Sequence, residues 1–431
     1  MKTLKYLAFL LISAGILSCE PAIDDFEPNQ GSADFSVYVA LGNSLTAGYA
    51  DGALYKSAQQ TGYPVMLAAQ FASVGGGAFK VPYMLDEYGL GGRRVLGPST
   101  NCLGVTSLGP IMYPGTLNPA NAAWIGDQGP FQNLGVPGAR VSHLLAPGYG
   151  MLNPYYGRFA SNPTTSSVLA DALAQSPTFF SLWIGANDVL GYSTSGGDNC
   201  GDSLTTPEAF ALYYGMLLDN LLAGGAKAVV ANIPDVTSIP FFNTVPFAAL
   251  VLTDQAQVDG LNAAYQALGF TFQLGPNPMV IQDLNAPAGM RQATPQDLIL
   301  LTIPQDSIRC AGWGSMKPVP HRYVLDALEV TKVRNTINAF NLAIEAEADE
   351  RGLAFVDANG ILRSAESGLV FDGVTLNTAF VSGGVFSLDG VHLTPKGNAV
   401  VANAFIDAIN ARFGASVPKV VVNDYPGVAF P

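Results

Sequence analysis

The side chains able to move a proton near neutral pH are few, because the chain holds only three histidines: His143, His321 and His392. His392 lies in Leu388-Asp-Gly-Val-His-Leu-Thr-Pro-Lys-Gly397, with Asp389 three residues before it and a capped helix start, Thr394-Pro395, just after. That spacing can set a carboxylate against one imidazole nitrogen and leave the other free, which makes a base for an alcohol nucleophile. The alcohol with the best context is Ser44, in Tyr38-Val-Ala-Leu-Gly-Asn-Ser-Leu-Thr-Ala-Gly48. It follows a β-rich run at the carboxyl edge, where an α/β sheet holds its reactive groups. His143, three residues after Arg140, reads as a helix-surface residue, and His321, in a Pro-bearing loop, reads as structural. Asp357 and Asp372 carry no motif.

Strands and helices alternate around these residues. Apolar, β-rich runs at 35–41, 178–184, 226–232 and 353–357 read as buried strands, with a short piece at 131–134. Helices are expected at 63–71, 167–175, 206–222, 323–351 and from Thr394 to about Arg412. Apolar strands separated by helices indicate a doubly wound parallel sheet with helices on both faces. Two stretches, about 74–130 and 236–320, are Gly/Pro-rich or lack a sustained period and read as irregular insertions. Phe241-Phe242 and the apolar run Val245 to Leu252 read as core, with an acyl-pocket wall or lid as the sharper alternative.

Four blocks together resemble the SGNH (GDSL) hydrolases. Gly42-Asn-Ser-Leu45 is similar to their first block, Asn133-Leu-Gly-Val-Pro-Gly138 to the second, Gly185-Ala-Asn-Asp188 to the third and Asp389-Gly-Val-His392 to the fifth, in family order. The resemblance covers about 35–412, the two insertions excepted. It implies a flavodoxin-like sheet of about five parallel strands and neither metal nor cofactor. It also implies roles: Ser44 as nucleophile, His392 as base, Asp389 orienting it, and an oxyanion hole from the N–H groups of Ser44 and Gly138 with the Asn187 amide. The activity implied is cleavage of carboxylic esters of lipids or acylated glycans through an acyl-enzyme on Ser44. The alternatives are a lipid- or glycan-binding lipoprotein of the same fold, without catalysis, and an acyltransferase. Two features depart from the pattern. Asn43 stands where the family usually has Asp, keeping size and hydrogen-bonding reach but losing the charge. Gly201-Asp-Ser-Leu-Thr205 spells the family's name, yet it follows a Gly/Ser/Cys loop and precedes the helix start Thr206-Pro207, so Ser203 is read as a pre-helix turn residue.

Composition bounds the partners and the compartment. With 20 basic against 33 acidic residues the formal charge is −13, which opposes nucleic acid as a partner. Only 12% of the 431 residues are charged and 49% are hydrophobic, the reverse of a disordered composition. Lys2 and Lys5 precede an apolar run from Tyr6 to Leu17 that is too short for a stable span, and Ser18-Cys19 follows. The segment 1–18 resembles a bacterial lipoprotein signal peptide, with Cys19 as the lipidated residue and 20–34 as a tether to a single domain from 35 to 431. That places the protein in the bacterial cell envelope, held to a membrane through its N-terminal lipid. Cys102, Cys200 and Cys310 remain; one disulfide with a spare thiol is the simplest arrangement and three isolated thiols the alternative.

Overall fold

Five short, mostly apolar runs pair side by side because each carries more apolar surface than one solvated face allows. The structure, a computed structural model, describes residues 27–431; the signal-like segment and Cys19 lie outside them. The strands are β1 (Tyr38–Gly42), β2 (Asn133–Gly135), β3 (Phe179–Trp183), β4 (Lys227–Ala231) and β5 (Ala354–Val356), in the order β2-β1-β3-β4-β5 and all parallel. Register is set by pairs such as Leu41 with Leu134, Leu182 with Val230 and Val356 with Ala231. This is the flavodoxin-like order, whose direction reverses between β1 and β3, the crevice where such sheets bind ligands.

Seven helices frame the site: α1 (Ser44–Ala47), α2 (Tyr63–Ala72), α3 (Asn187–Ser195), α4 (Pro207–Leu222), α5 (Ala327–Arg351), α6 (Ala358–Ser367) and α7 (Pro395–Phe413). On one face Tyr63 of α2 stacks on Phe405 of α7, and both pack edge-on or tilted against Trp183 of β3. On the other Phe210 of α4 stacks on Phe340 of α5, their ring centroids 4.0 Å apart. Thr206 and Thr394 cap α4 and α7 with Pro at the first turn, as their sequences predict. The long helix begins at Ala327 rather than 323. Asp326 caps it and Glu329 closes a capping box, while Val324 and Leu325 pair with Leu298 and Ile299. No helix among the described residues is long and apolar enough to cross a membrane.

The insertions are more ordered than composition suggests. The first contains an antiparallel hairpin, Arg94–Thr100 with Thr106–Met112. The second builds a core of its own from residues including Val258, Leu261, Met279, Ile281 and Val319, closed by short antiparallel ladders and the helix Gln255–Tyr265. Val245, Leu250 and Leu252 belong to that core and Phe241-Phe242 to the main one, so the packing reading of this stretch holds. A disulfide joins Cys102 of the first insertion to Cys310 of the second, and Cys200 is a half-buried free thiol. The last residues of the expected tether are fastened down: Ser32 N–H donates to Phe413 O at 2.8 Å, and Ser416 N–H donates to Asn29 O at 2.9 Å.

Candidate active site

Each candidate residue sits just beyond the carboxyl end of a strand or immediately before a helix. β1 ends at Gly42, and Asn43 then caps the one-turn helix α1 by accepting the Leu45 N–H at 3.0 Å. That turn lifts Ser44 off the strand at the switch point. Beyond β2 the chain turns through Val136-Pro-Gly-Ala139, closed by Ala139 N–H to Val136 O at 3.0 Å. Pro second and Gly138 third, with φ +79°, have the form of a type II turn, whose third position favours glycine. After β3, Asn187 opens α3, and its amide donates to Ala139 O at 2.9 Å. Blocks two and three are thus fastened to each other. Among the described residues the N–H groups of Ser44 and Gly138 donate to no protein acceptor.

His392 completes the line. Its Nε2 lies 2.8 Å from Ser44 Oγ and its Nδ1 lies 2.8 Å from Asp389 Oδ2. Asp389 is saturated with donors: Oδ2 accepts Gly52 N–H at 2.9 Å, and Oδ1 accepts the N–H groups of Val391 and His392 at 2.9 and 2.8 Å and Ser387 Oγ–H at 3.1 Å. Burial opposes a charge on this carboxyl. The adjacent His392 imidazole and these backbone amides outweigh it and hold Asp389 well below the usual carboxylate range. A carboxylate fixed as acceptor at Nδ1 leaves Nε2 free to take a proton from an alcohol. The arrangement can therefore activate a serine against an electrophilic carbonyl. Ser44, Asn43, Asn187 and His392 together line one part of an otherwise apolar cavity.

A family model described as GDSL-like Lipase/Acylhydrolase matches residues 38–405. The chain belongs to this family. As a GDSL-like acylhydrolase it is an enzyme that cleaves ester bonds. No curated protein matches it. Among solved structures it is similar to an α/β hydrolase enzyme from the metagenome of Lake Arreo, at 12% identity and TM-score 0.37, covering 88% of this chain and 96% of that one. It is also similar to an acetylxylan esterase from Geobacillus stearothermophilus, at 13% identity and TM-score 0.35 over 88% and 95% of the two chains. A lipase/acylhydrolase from Enterococcus faecalis gives 11% identity and TM-score 0.35 over 89% and 100%.

Within this acylhydrolase the literal Gly-Asp-Ser-Leu stretch has a bracing position. Ser203 is exposed, whereas Asp202 pairs with Arg140 behind the second block. Thr205 Oγ donates to the buried Asp188 at 2.8 Å, and Val141 N–H donates to the same carboxylate at 3.0 Å. Burial pushes the Asp188 carboxyl up to about 6 against the pull of Thr205, Val141 and Arg140. His143 caps its own turn, accepting Arg140 N–H at Nδ1 and stacking on Tyr149. His321 lies between Asp198 O and Glu329. Asp357 caps α6 and accepts the Asn232 amide.

Sequence reasoning missed the turn behind Asp389. Ala50 and Ala53 pair across Asp51-Gly52, with φ +54° and +84°, the left-handed pair of a type I′ turn. Besides the Gly52 contact, Asp51 N–H donates to Ser387 Oγ at 3.0 Å, and Asp51 Oδ1 accepts Leu388 N–H at 2.9 Å. Tyr55 donates to the other Asp51 oxygen, and Tyr49 packs on the His392 ring at 4.6 Å. The signal was an Asp-Gly dipeptide between small apolar residues. On the opposite side Gly390, φ +73°, accepts Phe241 N–H at 2.9 Å, so the second insertion buttresses the Asp389–His392 loop.

Proposed function

We propose that this acylhydrolase works through an acyl-enzyme on Ser44. As Ser44 Oγ bonds to the acyl carbonyl carbon, its proton passes to His392 Nε2. The Asp389 carboxylate stabilises the imidazolium and holds its tautomer. The negative carbonyl oxygen is received by the N–H groups of Ser44 and Gly138 and by the free amide hydrogen of Asn187, each contributing about 3 kcal/mol. The C–O bond to the alcohol then breaks, and the alcohol leaves with the proton from Nε2. Water repeats the sequence: it gives its proton to Nε2, its oxygen bonds to the acyl carbon, and Ser44 leaves with that proton as the acid is released.

The observation that carries this reading is the continuous line from Ser44 Oγ through both His392 nitrogens to Asp389, two contacts of 2.8 Å. A fluorophosphonate probe tests it. It should label the peptide containing Ser44, and Ser44→Ala should remove labelling and lower kcat by about 10⁶. Ser203→Ala should retain both. Labelling at Ser203, or full turnover by Ser44→Ala, overturns the assignment. We also propose that Cys19 carries a lipid that holds the enzyme to a membrane of the bacterial envelope. The run Tyr6 to Ser18 supports this reading. The mass of the mature N-terminal peptide tests it, and an unmodified Cys19 refutes it.

A further inference from the structure

Two turns of chain hold each other beside the triad: Asp51-Gly52, just after α1, and the loop from Ser387 to His392. Each lends a carboxylate to the backbone of the other. Asp389 Oδ2 accepts Gly52 N–H at 2.9 Å, and Asp51 Oδ1 accepts Leu388 N–H at 2.9 Å. Ser387 stands between them, its Oγ accepting Asp51 N–H at 3.0 Å and donating to Asp389 Oδ1 at 3.1 Å. The loop is also closed on itself, by Ser387 N–H to His392 O at 2.8 Å and Gly390 N–H to Ser387 O at 3.0 Å. A shift at Ser387 or Leu388 therefore carries through to His392. The far end of this clasp is anchored in turn. Asp51 Oδ2 accepts the Tyr55 hydroxyl at 2.5 Å, and the Tyr55 ring lies 4.5 Å from the Arg93 guanidinium. Arg93 packs on Tyr113 at 4.4 Å and pairs with Glu87 at 2.8 Å, and Arg94 N–H donates to Asp51 O at 2.8 Å. Asp51 thus ties the Asp389–His392 loop to the first insertion.

We propose that Asp51 is a positioning residue for ester cleavage: through Leu388 and Ser387 it sets where Asp389 and His392 stand relative to Ser44. This rests on the mechanism at Ser44 argued above and adds a residue to it. The Asp51 carboxylate spends its oxygens on Leu388 N–H and the Tyr55 hydroxyl, so it acts through the loop and not on the ester. Proton transfer from Ser44 needs both 2.8 Å contacts of His392 at once. A misplacement on the order of 1 Å in such a line can cost about 10²-fold in rate. The loss falls on kcat, because Asp51 has no part in holding the substrate. The turn itself does not need the carboxylate. Asn-Gly and Gly-Gly form type I′ turns as Asp-Gly does, and Gly adopts the +54° φ of Asp51 without steric cost. Asp51→Gly therefore removes the carboxylate and keeps the turn. Asp51→Asn keeps both contacts, its carbonyl accepting Leu388 N–H and its NH₂ donating to the Tyr55 oxygen.

A panel of p-nitrophenyl esters from acetate to octanoate tests the proposal, together with a fluorophosphonate that counts the reactive Ser44 sites and times their labelling. Asp51→Gly should lower kcat at least tenfold on every ester cleaved, with KM within threefold. It should slow Ser44 labelling by a similar factor while the final labelled fraction matches wild type. Asp51→Asn should stay within threefold of wild type in kcat. A loss smaller than tenfold in Asp51→Gly overturns the proposal. So does a reduced labelled fraction with an unchanged rate per site, which is the pattern of a residue that serves stability alone. An Asp51→Asn enzyme as slow as Asp51→Gly overturns it as well, since the two hydrogen bonds would then be beside the point. If a thermal melt shows that Asp51→Gly does not fold, Tyr55→Phe carries the test. That variant keeps the ring against Arg93, removes the donor to Asp51 Oδ2, and should lower kcat at least threefold with KM unchanged; a smaller loss overturns the proposal. Wild type left unlabelled at Ser44 overturns the serine mechanism itself, a result separate from all of these.

Discussion

Replacing Asp389 by Asn changes one atom and leaves the side chain's shape, yet the surroundings of Asp389 allow no orientation of the amide that satisfies them. Five donors converge on the carboxylate: His392 Nδ1 and Gly52 N–H on Oδ2, and Val391 N–H, His392 N–H and Ser387 Oγ–H on Oδ1. If the new NH₂ takes the Oδ1 position, it opposes two backbone donors. If it takes the Oδ2 position, it opposes Gly52 N–H and donates to His392 Nδ1. The second has fewer clashes and should prevail. It places the imidazole proton on Nε2, facing Ser44, so His392 can no longer accept the serine proton. The same replacement in another serine triad lowers kcat about 10⁴-fold through the wrong tautomer, roughly 5.5 kcal/mol. The unpaired Gly52 N–H adds a stability cost of about 1–3 kcal/mol. Steady-state hydrolysis of p-nitrophenyl octanoate and a thermal melt would measure the two effects. Ser387→Ala provides a control: it removes one donor, leaves the Nδ1 contact, and should cost less than about tenfold in kcat. An Asp389→Asn enzyme within tenfold of wild type would refute the tautomer argument.

Asn43→Asp should leave kcat/KM within about tenfold, a change below about 1.4 kcal/mol, because the carboxylate can cap Leu45 N–H as the amide does; a loss of several orders of magnitude on the ester panel would give Asn43 a direct part in the reaction. Asp188 ties stability to pH. Its folded value of about 6 lies above the ordinary 3.8, so between about pH 4 and 6 the folded state holds a proton that the unfolded state has released. Stability should therefore fall as pH rises through that window, by at most about 3 kcal/mol, and level off above it. The melting temperature of wild type relative to Asp188→Asn should drop between pH 4.5 and pH 7, and a constant difference would refute this. Cys102→Ser should lower stability by up to about 5 kcal/mol, the chain-entropy figure for a closed loop spanning 208 residues, with Ser44 labelling retained; matched melts of Cys102→Ser and reduced wild type would check it, and no loss in either would sink the estimate.

The legible parts of this protein are those where a local signal and the sheet agree. Ser44, Gly138, Asn187 and the Asp389–His392 pair each follow a strand or precede a capped helix, so turn chemistry and position could be read together. The helix start at Ala327 was misplaced because Tyr323, Val324 and Leu325 continue the apolar pattern, although Asp326 and Glu329 spell a capping box. Helix α6 went unseen because Asn359-Gly360 is a turn signal on its own; the Asp357 cap and the bonds of Asn359 to Asn232 and Ile233 beyond β4 override that preference. With α6 hidden, the wall it gives the cavity beside Ser44 was hidden too. The support of Asp389 by Asp51 and Gly52 joins residues more than 300 apart in sequence, and a turn motif does not announce what it holds. The pairing of Cys102 with Cys310 has the same character, since it depends on how two insertions meet.

The knot of hydrogen bonds joining Asn29, Ser32, Phe413 and Ser416 also decides how the enzyme would stand on a surface. Helix α7 begins beside His392 and ends at Phe413; its 19 residues run about 28 Å at the helical rise. The described chain therefore enters the domain beside the C-terminal end of α7, the end remote from His392. Were Cys19 embedded in a bilayer, residues 20–26 could span at most about 25 Å. The catalytic mouth would look outward, away from the leaflet beneath it. Such an enzyme samples the medium or a neighbouring surface, and its supply of ester depends on what arrives from outside.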